Sequence, residues 1–140
     1  MKIVVIGGSG FLGSHVADKL SQAGHEVTIF DLKKSQWISK NQTMVIGDIL
    51  KISDLDKVIS ESDVVYNFAA ISDIDEAENK PQTTANINII GTLNILELCK
   101  KYKVKRIMFA STIYVYSQDG NFYRCSKQAA ESFIEEYNRL

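Results

Sequence analysis

The sequence predicts a doubly wound α/β domain, with a parallel sheet held between two layers of helices. Three observations carry that reading. Five short apolar runs, at 3–6, 27–30, 44–46, 64–68 and 107–110, are rich in Val, Ile and Phe and are continuous rather than alternating. Strands covered on both faces have this pattern, as parallel sheets require. Longer amphipathic stretches at 11–23, 51–60, 81–102 and 124–139 lie between the runs. Strands and helices therefore alternate as βαβ units with right-handed crossovers. Finally, the first run ends in closely spaced glycines, where a strand can turn sharply into a helix.

A chain of 140 residues makes one domain. With 45% hydrophobic and 24% charged residues it is not disordered, collagen-like or disulfide-stapled. Its 16 basic and 17 acidic side chains leave a net charge of -1, which gives no pull toward nucleic acid or an anionic membrane. Cys99 and Cys125 have no metal-ligand spacing. They read as reduced thiols of a cytoplasmic protein, and no metal site is expected. No run reaches the ~18 apolar residues of a membrane span. The opening run is shorter than the roughly 7–15 apolar residues of a signal peptide.

Taken in order, the first strand leads into Gly7, Gly10 and Gly13, spaced three apart, at the start of the first helix. Gly7 makes the tight turn, Gly10 lets backbone approach a pyrophosphate, and Gly13 lets the helix lie close to the strand. The helix start then offers free N–H groups and a positive dipole end to phosphate. The sheet is thus expected to be Rossmann-type, in three layers. Asp31 ends the second strand, 18 residues after Gly13. A carboxylate there accepts hydrogen bonds from both ribose hydroxyls of NAD and repels a 2′-phosphate. Lys33 and Lys34 soften that preference, so NADP ranks second to NAD. Asp48, after the third strand and Gly47, is placed to hold the adenine amino group, with Ile49 against the ring. Phe68, Ala69 and Ala70 follow the fourth strand, where two small residues leave room for a cofactor across the strand ends.

The long stretch at 81–102 starts with the single proline, Pro81, at a position that tolerates a missing N–H. It carries two apolar stripes, one with Ala85, Ile89, Leu93 and Leu96 and one with Ile87, Ile90 and Leu98. A surface helix needs only one stripe, so the second packs either into the core or on another subunit. Gly91 costs this helix ~1 kcal/mol against alanine and is expected to permit close packing.

Tyr123 and Lys127, at i and i+4, share a helical face. A phenol with a pKa of ~10 is a poor base at neutral pH. Lowering it by about three units takes ~4 kcal/mol, and Lys127 with the positive nicotinamide ring of NAD+ is the expected source. Ser111 and Thr112 follow the fifth strand, at the end that faces a ligand crevice. Thr112 is placed to hydrogen-bond the substrate oxygen that loses its proton to Tyr123.

In combination these residues resemble the extended short-chain dehydrogenases/reductases, in the NAD-dependent epimerase/dehydratase branch. The resemblance runs from Met1 to Leu140 and rests on the spaced glycines, Asp31, Asp48-Ile49, Phe68-Ala69-Ala70, Asn88-Ile89-Ile90-Gly91-Thr92, Ser111-Thr112 with Val115-Tyr116, and Tyr123 with Lys127. It implies that Phe11 and Leu12 line the pyrophosphate, that Asp48 and Ile49 hold adenine, and that Asn88 supports the active-site end. Lys127 would also contact the nicotinamide ribose, and Thr112, Tyr123 and Lys127 would form the catalytic triad. Members usually act on nucleotide sugars, moving hydride from a sugar carbon to NAD+ and, in an epimerase, returning it to the other face of a keto sugar. Dehydratases usually carry an acidic pair after the catalytic Thr; Ile113-Tyr114 stands here, which favours an epimerase.

The family pattern continues into a smaller substrate-gripping domain. Residues 1–140 are expected to be the NAD(P)-binding domain, with the C-terminal substrate domain absent and little turnover alone, whether the chain is truncated or naturally short. Ser117 stands where a glycine is common, the stretch up to Phe122 is short, and Asn67 replaces a frequent histidine. A homodimer contact is expected through the helices near 85–99 and 124–139. The alternatives are a non-catalytic dinucleotide-binding or interaction module, or a dehydratase or reductase of the same family. His15 and His25 are expected to be structural.

Overall fold

The computed structural model describes residues Met1–Leu140. Five strands, β1 (Lys2–Ile6), β2 (Glu26–Asp31), β3 (Gln42–Ile46), β4 (Val64–Asn67) and β5 (Arg106–Phe109), form one sheet in the order β3-β2-β1-β4-β5. Every neighbouring pair is parallel. The chain winds outward from β1 to β3, then returns to β4 beside β1 and winds the other way. Between the carboxyl ends of β1 and β4 the direction of winding switches, and in open α/β sheets this is where ligands bind.

The continuous apolar runs are explained by burial on both faces. Ile3, Val5, Val27 and Ile29 point toward α1 (Phe11–Gln22), where Ala17 is fully buried. Val4, Ile6, Phe30 and Val65 point the other way, onto Leu55, Val58 and Ile59 of α2 (Ile52–Ile59) and Ile95, Leu98 and Cys99 of α5 (Gly91–Lys101). Successive residues of one strand thus feed two separate cores.

Helices depart from the expected pattern in three places. A six-residue helix, α3 (Ile74–Asn79), precedes Pro81, and Asp73 caps it by accepting from the Glu76 N–H at 2.8 Å. The expected single helix at 81–102 is α4 (Pro81–Ala85), a π-helical turn (Asn86–Ile90) and α5, with Pro81 in the first turn of α4 as expected. A 3₁₀ turn (Ile113–Tyr116) leads to α6 (Asn121–Arg139), so Tyr123 lies in the first turn of α6 rather than before it. The second apolar stripe of the 81–102 stretch is divided: Leu98 of α5 is core, whereas Ile90 of the π turn is exposed.

Two close approaches depend on missing side chains. Gly7 has φ +77°, and a Cβ on Gly13 would sit 2.4 Å from the Gly7 carbonyl oxygen. Gly91 seats Ile49, whose Cδ1 would lie 2.4 Å from an added Cβ, so the expected close packing is present. The obstacle at Gly13 is backbone that cannot rotate away. Gly13→Ala is therefore expected to destabilise the chain by about 2 kcal/mol or more, seen as a lower urea midpoint with unchanged m. An unchanged midpoint would refute the contact.

Candidate active site

The turn after β1 is held by its own backbone. Gly7 N–H donates to the Phe30 carbonyl at 2.8 Å and Gly10 N–H to the Gly7 carbonyl at 3.2 Å. Gly10 precedes α1 in extended conformation, so the N–H groups of Phe11, Leu12 and Gly13 begin the helix without intrahelical acceptors. Phe11 and Leu12 project outward, 84% and 53% exposed.

These residues form part of one cavity of about 760 Å³, within the range of small-molecule and cofactor sites. Gly7, Gly10, Phe11, Leu12 and Gly13 line it at the switch point. Asp31, Asp48 and Ile49 line it beyond β2 and β3, and Phe68, Ala69 and Ala70 beyond β4. Tyr123 and Lys127 line it from α6. Ala110 and Ser111 line it beyond β5, so residues from five strand ends and one distant helix meet in one concavity. The turn geometry, the glycine cradle and the carboxylate after β2 fit a dinucleotide.

Asp31 is fixed before any ligand arrives. Its carboxylate accepts from the Ser9 N–H at 3.0 Å and the Lys33 N–H at 3.2 Å, and the Ser9 hydroxyl donates to the Lys33 carbonyl at 2.7 Å. Asp48 accepts from the Leu50 N–H at 2.9 Å. Ile49 mainly faces the core against Gly91 and offers the cavity only an edge.

Two expected residues lie outside the cavity lining. Thr112 is half-buried at the start of the 3₁₀ turn, where its hydroxyl accepts from the Tyr114 N–H at 3.4 Å. The hydroxyl also lies against the Tyr123 phenol, so the short 117–122 segment does bring the two together. Asn88 is 1% exposed and makes no part of the cavity wall. It stands behind that wall, where it holds the segment at Ile71. Its amide donates to the Ile71 carbonyl at 3.0 Å and its Oδ1 accepts from the Ile71 N–H at 2.8 Å. Asn67, which had no assigned role, is also buried. It donates to the Thr92 hydroxyl at 3.3 Å and accepts from the Ala69 N–H at 3.1 Å.

The electrostatics of Tyr123 and Lys127 are set by burial. Burial pushes the Tyr123 phenol above its ordinary value, and the Thr112 hydroxyl only partly opposes this. Lys127 does not lower it here. Its Nζ donates to the Ala110 carbonyl at 2.7 Å and stands 5.9 Å from the Tyr123 ring centre. Lys127 is itself 2% exposed, and burial lowers it to about 8, with Glu131 pulling the other way. In this geometry desolvation outweighs pairing for both groups.

Sequence reading missed Glu76, Ser72 and Ile87, which line the cavity from α3, its approach and the π turn. The spacing of Asp73 and Glu76 matches a helix-capping pattern and was the available signal. Glu76 is paired with Lys80 at 3.0 Å. His15, expected to be structural, contacts the Phe11 carbonyl through Nδ1 at 2.8 Å. Trp37 is exposed beside Lys33, Lys34 and Gln36 in a smaller cavity next to Asp31. Cys125 faces outward and Cys99 is buried, both as free thiols. No helix is long and apolar enough to cross a membrane.

Comparison with known proteins gives the same picture. A putative UDP-glucose 4-epimerase of Methanocaldococcus jannaschii is 34% identical over 99% of this chain and 51% of its own length. The crystal structure of the Thermotoga maritima UDP-glucose 4-epimerase with UDP-glucose superposes with a TM-score of 0.93 at 29% identity, covering 99% of this chain and 52% of that one. The Thermus thermophilus UDP-glucose 4-epimerase in complex with NAD gives 0.90 at 28% identity, covering 99% and 51%. The chain spans about half the length of the M. jannaschii relative. The profile of the NAD dependent epimerase/dehydratase family matches residues 3–140, and the chain belongs to that family.

Proposed function

We propose that residues 1–140 are the NAD-holding domain of a nucleotide-sugar epimerase, with UDP-sugars as the substrate class of the whole protein. One observation carries this reading: Tyr123 and Lys127 share a cavity with the glycine turn and Asp31. A domain that only held a nucleotide would need the turn and the carboxylate but not the phenol and the amine. The relatives that bind UDP-glucose or NAD support the reading.

When bound, the oxidised dinucleotide supplies the hydride acceptor. This chain's residues do the rest. The free amides at the start of α1 face the pyrophosphate, and the pinned carboxylate of Asp31 meets the adenosine ribose and disfavours a 2′-phosphate. Asp48 and Ile49 bound the adenine end, and the small Ala69 and Ala70 leave the crossing open. Tyr123 would take the proton of the sugar hydroxyl as its phenolate, the form that the positive charge of the bound oxidised dinucleotide favours; Thr112, beside the phenol, would orient that oxygen, and Lys127 would hold the nicotinamide ribose. Ile113 and Tyr114 stand where dehydratases usually carry an acidic pair, which favours epimerisation over dehydration. The free thiols support a cytoplasmic setting. Exposed Ile90 of the π turn and Phe133 of α6 support a homodimer contact through the helices near 85–99 and 124–139, which sedimentation as a monomer would refute.

Calorimetry with NAD tests the binding half of the proposal. Asp31→Ala is expected to weaken NAD by roughly tenfold to a hundredfold, the value of a charge-assisted hydrogen-bond pair. Unchanged affinity removes Asp31 from the ribose site. In the full-length protein, interconversion of epimers from a panel of UDP-, GDP- and dTDP-sugars tests the chemistry. Tyr123→Phe is expected to slow it by about a hundredfold or more, and an undiminished rate would remove the phenol from the reaction.

The buried amine gives a separate check on this chain alone. Lys127 titrates at about 8 when folded and at its ordinary 10.5 when unfolded. The unfolded chain therefore binds more protons between those pH values, and stability rises with pH across that window, by of order 3 kcal/mol in total. Cys99, raised to about 12 by burial, works in the opposite direction from pH 9.0 upward. Subtracting Lys127→Met removes that contribution. Denaturant melts are expected to show the wild-type advantage growing from pH 8 to 10.5. A flat difference would mean the amine is solvated.

A further inference from the structure

Ser126 lies on α6 between Tyr123 and Lys127, 3% exposed and outside the cavity lining. Its hydroxyl accepts from the Asn88 amide at 2.9 Å and donates to the Tyr123 carbonyl at 2.8 Å. The second amide hydrogen and the Oδ1 of Asn88 are both committed to Ile71, in the segment behind the cavity wall. The Asn88 carbonyl takes the Thr92 hydroxyl at 2.7 Å, and that hydroxyl accepts from Asn67 at the end of β4. One buried polar chain therefore joins the strand end, the π turn, the wall segment and the first turn of α6. Each donor in it meets an acceptor.

The apolar contact at this end of α6 is small: Tyr123 packs with Ile71 and Ala77, and with the partly buried Ile74, Ile87 and Tyr114. Apolar packing is non-directional and tolerates rotation of a helix about its axis. Hydrogen bonds do not, because they weaken steeply as their angle opens. A rotation of α6 would swing Tyr123 and Lys127 together, since both extend from the face that the chain anchors.

We propose that Ser126 is a positioning residue: through its clasp with Asn88 it fixes the rotation of α6, so that Tyr123 and Lys127 are aimed into the cavity. The clasp acts without touching any ligand. The inference deepens the NAD reading and rests on it only for its binding arm.

The test compares the chain with Ser126→Ala and with Ser126→Thr, which keeps the hydroxyl. Two readings are taken: the Lys127 titration, followed by the NMR shift of its Cε, and NAD affinity by calorimetry. Lys127 is desolvated by burial, is drawn the other way by Glu131 on its own helix, and donates to the Ala110 carbonyl beyond β5 with the Phe109 and Tyr123 rings nearby, so its midpoint reports where α6 has turned. In Ser126→Ala the midpoint is expected to move from about 8 toward 10.5, and NAD is expected to bind about tenfold more weakly. Ser126→Thr is expected to restore both. A wild-type midpoint in Ser126→Ala, or a Ser126→Thr chain as perturbed as Ser126→Ala, overturns the proposal. If Ser126→Ala does not fold, Ser126→Cys, which roughly keeps the volume and weakens both bonds, takes its place in the same comparison. A wild-type chain that binds no NAD refutes the dinucleotide reading, and the Lys127 arm still decides the role of Ser126.

Discussion

The structure depends on a contact between two pieces of backbone. The start of α1 rests on the turn after β1 because neither Gly7 nor Gly13 carries a side chain, and a Cβ on Gly13 would fall 2.4 Å from the Gly7 oxygen. That contact sets the height of α1 over the sheet. It leaves the first amides of the helix facing the switch point and brings Ser9 within reach of Asp31. A wider separation would lose the anion-facing amides and the pinned carboxylate together.

The sheet was legible because burial on both faces leaves an unmistakable imprint, with residues such as Val4 and Val5 committed to opposite cores. The nucleotide end of the cavity was legible for a related reason: turn, glycine spacing and carboxylate are local in sequence. The rest was not local. Helix α3 has no apolar period, being short and capped by a single carboxylate. The π turn has no signature in composition, since it follows from where Asn88 must point, and that is set by Ile71 and Ser126 some 17 and 38 residues away. Sequence marked Asn88 but carried no information about Ile71 and Ser126, the partners that hold it behind the wall.

The Tyr123 and Lys127 end of the cavity shows a tension between two uses of burial. Shielding Tyr123 and Lys127 strengthens any charge interaction made there. The same shielding penalises the charged form of each, and with Lys127 turned to the Ala110 carbonyl, shielding wins. The pair is therefore held apart in charge, an uncharged phenol beside an amine that gives up its proton easily. Sequence spacing placed both groups on one face but carried no information about the carbonyl that claims the amine.

The carboxylate after β2 has a consequence for how tightly a partner can be held. An acidic side chain on a loose loop must give up its torsional freedom when a diol arrives, and that ordering subtracts from the binding free energy. Asp31 has already given it up to the amides of Ser9 and Lys33. The expense falls on folding, so recognition at this end of the crevice resembles a key entering a lock already cut.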